Sequence, residues 1–317
     1  MDNALSSYKN CRLCPRRCGI DRLSGERGFC GETSALRIAA ASIHRGEEPP
    51  ITGNRGSGTI FVSGCNLRCT FCQNYQVSHQ RMGKTVAESE FVRICLTLQE
   101  SGAENINIVT GSHAVPALVA GIKAARTQGL VIPVLWNSSG YESLEALSLL
   151  AEVIDGYLPD LKTLDPAMAE NFFKAPHYGE AASSAIKKML EFRDIRYEGA
   201  VLRSGVIVRH LVLPGRLEST RGILRWFAEH AAGKGLLSLM MQYTPVGTAD
   251  APNRYVNEAE YEVVLGWLDE FGIEDGFYQE LSPSGEWLPD FTRANPFSSE
   301  LSTPVWHWLR GFNAAYF

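Results

Sequence analysis

The chain has 317 residues, 45% of them apolar, and a formal net charge of −5. That length suits one large α/β domain or two smaller ones with a full core, and the acidic balance argues against an evident nucleic-acid binder. No apolar run nears the ~20 residues that cross a bilayer and the first residues hold no apolar signal core, so a soluble cytoplasmic protein is expected, without a membrane partner. Eight cysteines in such a compartment read as metal ligands before disulfides. Seven fall into two clusters, and Cys95 stands apart.

Cys11, Cys14, Cys18 and Cys30 form the first cluster, spaced Cys-x2-Cys-x3-Cys-x11-Cys. The glycine-rich residues between them suit a loop-rich knuckle with too little apolar material to fold without a metal. Four thiolates close a tetrahedral zinc site or hold an auxiliary iron–sulfur cluster, and spacing alone leaves both open. Arg16 and Arg17 stand inside the knuckle, where they either tune a cluster or lie on the surface. Residues 36–44 read as a strand or small hairpin beside the main sheet, with His44 as a packing residue or a ligand. The Pro49-Pro50 pair and the glycines after Thr52 predict a loop up to Thr59.

A strand over 59–62 then feeds the stretch Ser63 to Tyr75, which carries Cys65, Cys69 and Cys72 spaced Cys-x3-Cys-x2-Cys. Three close thiolates suit three corners of a 4Fe–4S cluster and leave one iron open. A zinc loop is the other reading, and His79 would be its fourth ligand. Beyond it, helices are predicted over 87–100, 115–127, 144–153, 166–174, 181–193, 220–232 and 257–271. Cys95 falls on the apolar face of the first and reads as core. Strands are predicted over 105–110, 131–136, 154–158, 205–213 and 236–243. Regular alternation of strand and helix gives βαβ units and a parallel α/β sheet of six strands. Chemistry on such a sheet gathers at the C-terminal ends of the strands. The segment 276–317 is aromatic-rich, with Phe277, Tyr278, Trp287, Phe291, Phe297, Trp306, Trp308, Phe312, Tyr316 and Phe317. It is expected to fold back over the open side of the sheet. Three segments follow, a cysteine-rich 1–57, a parallel α/β unit 58–275 and an extension 276–317.

Cys-x3-Cys-x-aromatic-Cys after a first strand, with Phe71 as the aromatic, resembles the signature of the radical S-adenosylmethionine (SAM) superfamily. The resemblance implies a partial (β/α)6 barrel and a 4Fe–4S cluster whose open iron takes SAM. It further implies cleavage of SAM to a 5′-deoxyadenosyl radical that abstracts hydrogen, with Phe71 near the adenine. The knuckle and barrel motifs together resemble the group related to pyruvate formate-lyase activating enzyme. Asn137 and Ser139 are similar to that group's turn after the third strand. Asp160 and Lys162 match its Asp-x-Lys element, and Arg209 its Val-Arg-x-x-Val-x-Pro-Gly strand. Gly111, Ser112 and His113 stand where the activating enzymes have Gly-Gly-Glu, and Thr244 lies near their histidine position. The resemblance therefore implies SAM contacts at Gly111, Asn137, Ser139, Asp160, Lys162 and Arg209, with Gln242 and Tyr243 on the substrate side. It implies a protein or peptide substrate and an electron donor such as flavodoxin or ferredoxin. Radical modification of a small molecule or RNA is one alternative, and a metal-binding module without turnover is another.

Overall fold

A computed structural model describes residues 5–247, 251–281 and 288–313. Two 3-10 turns, Leu5–Tyr8 and Arg22–Ser24, open the chain. The first half holds β1 (Arg37–His44), α1 (Pro49–Thr52), β2 (Ser57–Val62), α2 (Tyr75–Ser78), β3 (Lys84–Thr85), α3 (Glu88–Glu100), β4 (Ile106–Val109) and α4 (Val115–Thr127). The middle holds β5 (Val134–Ser138), α5 (Leu144–Leu150), β6 (Gly156–Pro159), α6 (Pro166–Phe173), α7 (Tyr178–Phe192) and β7 (Arg196–Glu198). The last part holds β8 (Val201–Leu211), α8 (Leu217–His230), β9 (Leu236–Met240), α9 (Glu258–Glu270), β10 (Gly276–Tyr278), β11 (Ser302–His307) and β12 (Gly311–Phe312).

All strands join one sheet in the order β10-β9-β8-β6-β5-β4-β2-β1-β11-β12, with β3 beside β1 and β7 beside β8. From β2 to β10 every neighbouring pair on that path is parallel. The six strands expected from the alternation are β2, β4, β5, β6, β8 and β9, an α/β parallel sheet of the partial-barrel kind. Helices cover its outer face because each crossover returns the chain for the next parallel strand. Their start signals are local. Ser143 caps α5, Asp165 caps α6 ahead of Pro166, and Asn257 with Glu260 forms a capping box on α9. Cys95 is fully buried on α3 and burial pushes its thiol up, so it is a core residue.

The structure corrects several expectations. For 36–44 the strand reading holds, and the strand, β1, is hydrogen-bonded antiparallel to β2 within the sheet, which hides the latter's edge from solvent. The extension after 275 does more than cover the sheet. It adds β10 to one end of the sheet and β11 and β12 to the other. Its Trp287, Tyr316 and Phe317 lie outside the described residues. The strand predicted over 131–136 begins at Val134 instead, because Pro133 has no N–H to give a ladder and Val131 is 80% exposed. The loop predicted after Pro49 contains α1, since proline's fixed φ suits a first helical turn. Ile51 of α1 plugs the base of the barrel, packed with Leu135, Leu158, Ile207 and Leu236.

Register sorts the barrel interior into layers. Above that apolar plug, pairing puts Asp160, Arg209, Ser238 and Phe277 in one inward-facing row. Phe61, Val109 and Asn137 form another. The next residue of each strand faces the helices: on the far side from Arg209, His210 Nδ1 donates to the Leu161 carbonyl (2.8 Å) and Nε2 accepts from the Thr220 hydroxyl (2.9 Å).

Candidate active site and cysteine centres

Gly64, in the left-handed region at φ 86°, turns the chain from β2 into the cysteine loop. A Cβ there would lie 2.6 Å from Glu32 Cγ and 3.0 Å from the Cys30 carbonyl oxygen. The Gly64→Ala variant is therefore expected to lose about 1–3 kcal/mol in thermal unfolding, because the knuckle backbone must move as well as the turn.

The backbone N–H groups of Leu67 and Arg68 donate to Cys65 Sγ at 3.3 and 3.4 Å. Ser78 Oγ lies 3.2 Å from Cys72 Sγ and 2.8 Å from His79 Nδ1, so His79 is engaged by Ser78. Burial pushes the Cys69 thiol well up, against the pull of the Lys162 ammonium. Burial and the neighbouring Cys65 thiol raise Cys72 to about 11, against Ser78 and Lys162. Such thiols ionise only when a metal's positive charge offsets their burial. Amide and hydroxyl groups in contact with the sulfurs, with the Lys162 ammonium acting on them electrostatically, fit a thiolate-held cluster, whose electronics such groups tune.

The knuckle thiols lie near enough to act on one another electrostatically. Cys14 interacts with Cys11 and Cys30, and Cys30 with Cys11 and Cys18. Burial pushes Cys14 up to about 12. Among the described residues, no three His, Cys, Asp or Glu side chains form a group that could hold a single metal ion. Of the knuckle's arginines, Arg17 is exposed, whereas Arg16 donates to the carbonyls of Asn66 (3.0 Å), Phe173 (2.7 Å) and Lys174. Arg22, to which the sequence reading gave no role, is 1% exposed. It donates to the His113 carbonyl at 2.5 Å, approaches Cys11 Sγ at 3.8 Å and lies over the Tyr8 ring. The knuckle is docked on the central loop at Asn66, whose carbonyl accepts from Arg16 Nε at 3.0 Å and whose side-chain amide donates to the Tyr141 carbonyl at 2.7 Å.

At the mouth of the barrel a cavity of about 280 Å³ is lined in part by Cys69, Phe71, Cys72, Asn137, Asp160, Lys162 and Arg209. Those seven residues come from four separate stretches of sequence. Lys162 Nζ bonds Asp160 Oδ2 at 2.5 Å. Phe71 packs edge-on against Phe172 and Phe173, with ring centroids 5.4 and 5.9 Å apart. Gly111 and Ser139 do not line the cavity. Gly111 lies against Trp136, and its carbonyl accepts from Ala114 N–H at 2.7 Å. The Ser139 carbonyl accepts from the Tyr178 hydroxyl at 2.8 Å. That hydroxyl also faces the Asp160 carbonyl (2.8 Å) and accepts from Lys162 N–H (3.0 Å). Gln242 lines the cavity, Tyr243 stacks near Phe71, and buried Thr244 has no side-chain partner among the described residues.

Two carboxylates that the sequence reading passed over complete the interior. Arg209 donates to Glu47 at 2.7 Å and through Nε to Glu48 at 2.8 Å, with a further short contact to Glu48. Asn107 Nδ2 donates to Glu47 Oε1 at 2.9 Å. Burial would raise the Glu48 carboxyl, but the Arg209 guanidinium outweighs it and holds the pKa below the ordinary value.

Residues 59–227 match the family model of the Radical SAM superfamily. The uncharacterized protein MJ0674 of Methanocaldococcus jannaschii is 29% identical over 281 residues, covering 86% of this chain and 78% of the relative. Among solved structures, Streptococcus suis SuiB bound to S-adenosylmethionine is similar in fold at TM-score 0.50 and 13% identity. The match covers 68% of this chain and about half, 48%, of SuiB. A domain of pyruvate-formate lyase-activating enzyme from Bacteroides vulgatus gives TM-score 0.39 at 12% identity over 52% of this chain and 91% of that domain. With more than half of its length inside the family match, this chain belongs to the radical SAM superfamily.

Proposed function

We propose that the protein binds a 4Fe–4S cluster at Cys65, Cys69 and Cys72, cleaves SAM there, and takes hydrogen from a protein or peptide substrate. The carrying observation is the convergence of Cys69, Cys72, Phe71, Asn137, Asp160, Lys162 and Arg209 on one cavity. The cluster supplies one electron and SAM the 5′-deoxyadenosyl group that receives the hydrogen. Everything else is positioning by this chain. Phe71, braced by Phe172 and Phe173, offers an apolar face to the adenine. Lys162 offers an ammonium to the SAM carboxylate, and Asn137 and Asp160 offer hydrogen bonds to its polar atoms.

The polypeptide reading draws on the sheet edge. β10 ends the strand order, and its neighbour Gln279 lines the cavity. An exposed edge beside a site accepts an extended chain. Reconstituted anaerobic protein given dithionite and SAM should release 5′-deoxyadenosine, and its absence would sink the assignment. A small-molecule substrate is the second reading, carried by the modest cavity volume.

For the knuckle we assign an auxiliary iron–sulfur cluster at Cys11, Cys14, Cys18 and Cys30, with zinc as the competing metal. Metal analysis separates them, since about eight irons per chain mean two cubes and about four with one zinc mean a mixed protein. An electron donor of the flavodoxin or ferredoxin kind completes the reading.

Tyr178 acts as a positioning residue, because its hydroxyl ties together the Ser139, Asp160 and Lys162 backbones. Tyr178→Phe is expected to weaken SAM binding about fivefold to thirtyfold, the worth of about 1–2 kcal/mol of lost hydrogen bonding. Calorimetric titration checks this, and an unchanged affinity would remove Tyr178 from the site's support.

A further inference from the structure

The cavity has a second end, away from the cysteines. It is lined by His44, Glu47, Gln242, Gln279 and Phe297. Two buried polar atoms of this lining, His44 Nδ1 and Gln242 Oε1, have no hydrogen-bond partner among the described residues, and neither has Asn107 Oδ1, outside the lining on the residue that donates to Glu47. The two amide oxygens are acceptors only, and His44 offers an acceptor in one of its neutral tautomers. Buried polar atoms left unpaired are costly in a folded chain, and a ligand that donates to them removes the cost.

Charge points the same way. Asp160 and Lys162 cancel, and Arg209 cancels one of Glu47 and Glu48, whose side chains are only 11% and 7% exposed. One negative charge is left over. His44 does not balance it, because burial lowers its pKa and keeps the ring neutral. An acidic cleft with buried walls raises the local concentration of cations.

We propose that this end of the cavity is the substrate subsite, and that it takes a primary ammonium group donated to Glu47 and Gln242. The subsite rests on the radical SAM reading of the same cavity and deepens it by naming the substrate's chemistry. The ammonium enters as a lysine side chain of a polypeptide or as a free amine, and both make the same contacts.

The test uses anaerobically reconstituted holoenzyme with SAM already bound, so that the cofactor's own ammonium is in place. Calorimetry compares N-acetyl-lysine methylamide with its norleucine and glutamate counterparts and with n-pentylamine. The lysine probe should bind roughly tenfold to hundredfold more tightly than norleucine, the worth of a charge-assisted bond. Glu47→Gln should erase most of that preference, and Gln242→Leu should reduce it where the first variant folds poorly. Equal binding of pentylamine supports a free amine as source, and tighter binding of the lysine amide supports a polypeptide. No preference for lysine over norleucine, or a preference for glutamate, overturns the subsite. Deoxyadenosine release is measured separately on the same preparation. Release without lysine preference sinks this inference alone, and no release sinks the parent reading.

Discussion

Serine in place of any one of Cys65, Cys69 or Cys72 should reduce deoxyadenosine release to background and lower bound iron by about four atoms per chain. The size of the effect follows from ligand number. In the proposed site three thiolates would hold the cube, and the remaining iron would have to stay open for SAM. Burial makes the loss harder to rescue, since Cys69 and Cys72 lie among groups already arranged for sulfur, including Ser78 and Lys162. Serine in place of Cys95 is the control. That residue is buried on α3 away from both cysteine sets, so its serine variant should keep the iron and lose stability only. Iron retained by all three loop variants would break the assignment.

The second large effect is on stability. Arg209→Met should destabilise the fold by about 3–5 kcal/mol, because it leaves Glu47 and Glu48 buried without their cation. The pH dependence gives the cause. In the native chain burial would raise the Glu48 carboxyl, but Arg209 holds it low. Its contribution is therefore present above the unfolded carboxylate pKa and lost as pH falls through the depressed folded value. In the variant, burial is the largest influence and is opposed only by the Ser238 hydroxyl and a backbone hydrogen bond, and the folded pKa is expected to rise above the unfolded one. The penalty is then full at neutral pH and relieved as acid protonates the carboxyl. The gap in melting temperature between the variant and the native protein should shrink from pH 8 to pH 5. A constant gap would mean that Arg209 contributes by packing rather than by charge.

Several site residues were legible because their signals are local. Three cysteines within eight positions of the chain need no partner to be seen, and Asp160 and Lys162 share a face by strand alternation alone. The helices from α3 to α9 follow from apolar spacing and caps such as the Asn257 capping box. What stayed hidden is long-range. Glu47 and Glu48 meet Arg209 across more than 160 residues of chain, and Tyr178 reaches Ser139 from a helix that reads as ordinary core. The two-residue and three-residue strands carry too little pattern to register, yet β10 supplies a sheet edge.

By itself the sequence determined the cysteine spacing, the alternating α/β order and the faces of the central strands, because each depends on neighbours a few residues apart. Only the tertiary structure decided which of the candidate residues share the cavity, that Gly111 and Ser139 lie outside it, and that an excess carboxylate sits beneath Arg209. Register and barrel closure bring those groups together, and charge balance in a buried space is a property of the whole assembly of strands rather than of any one segment.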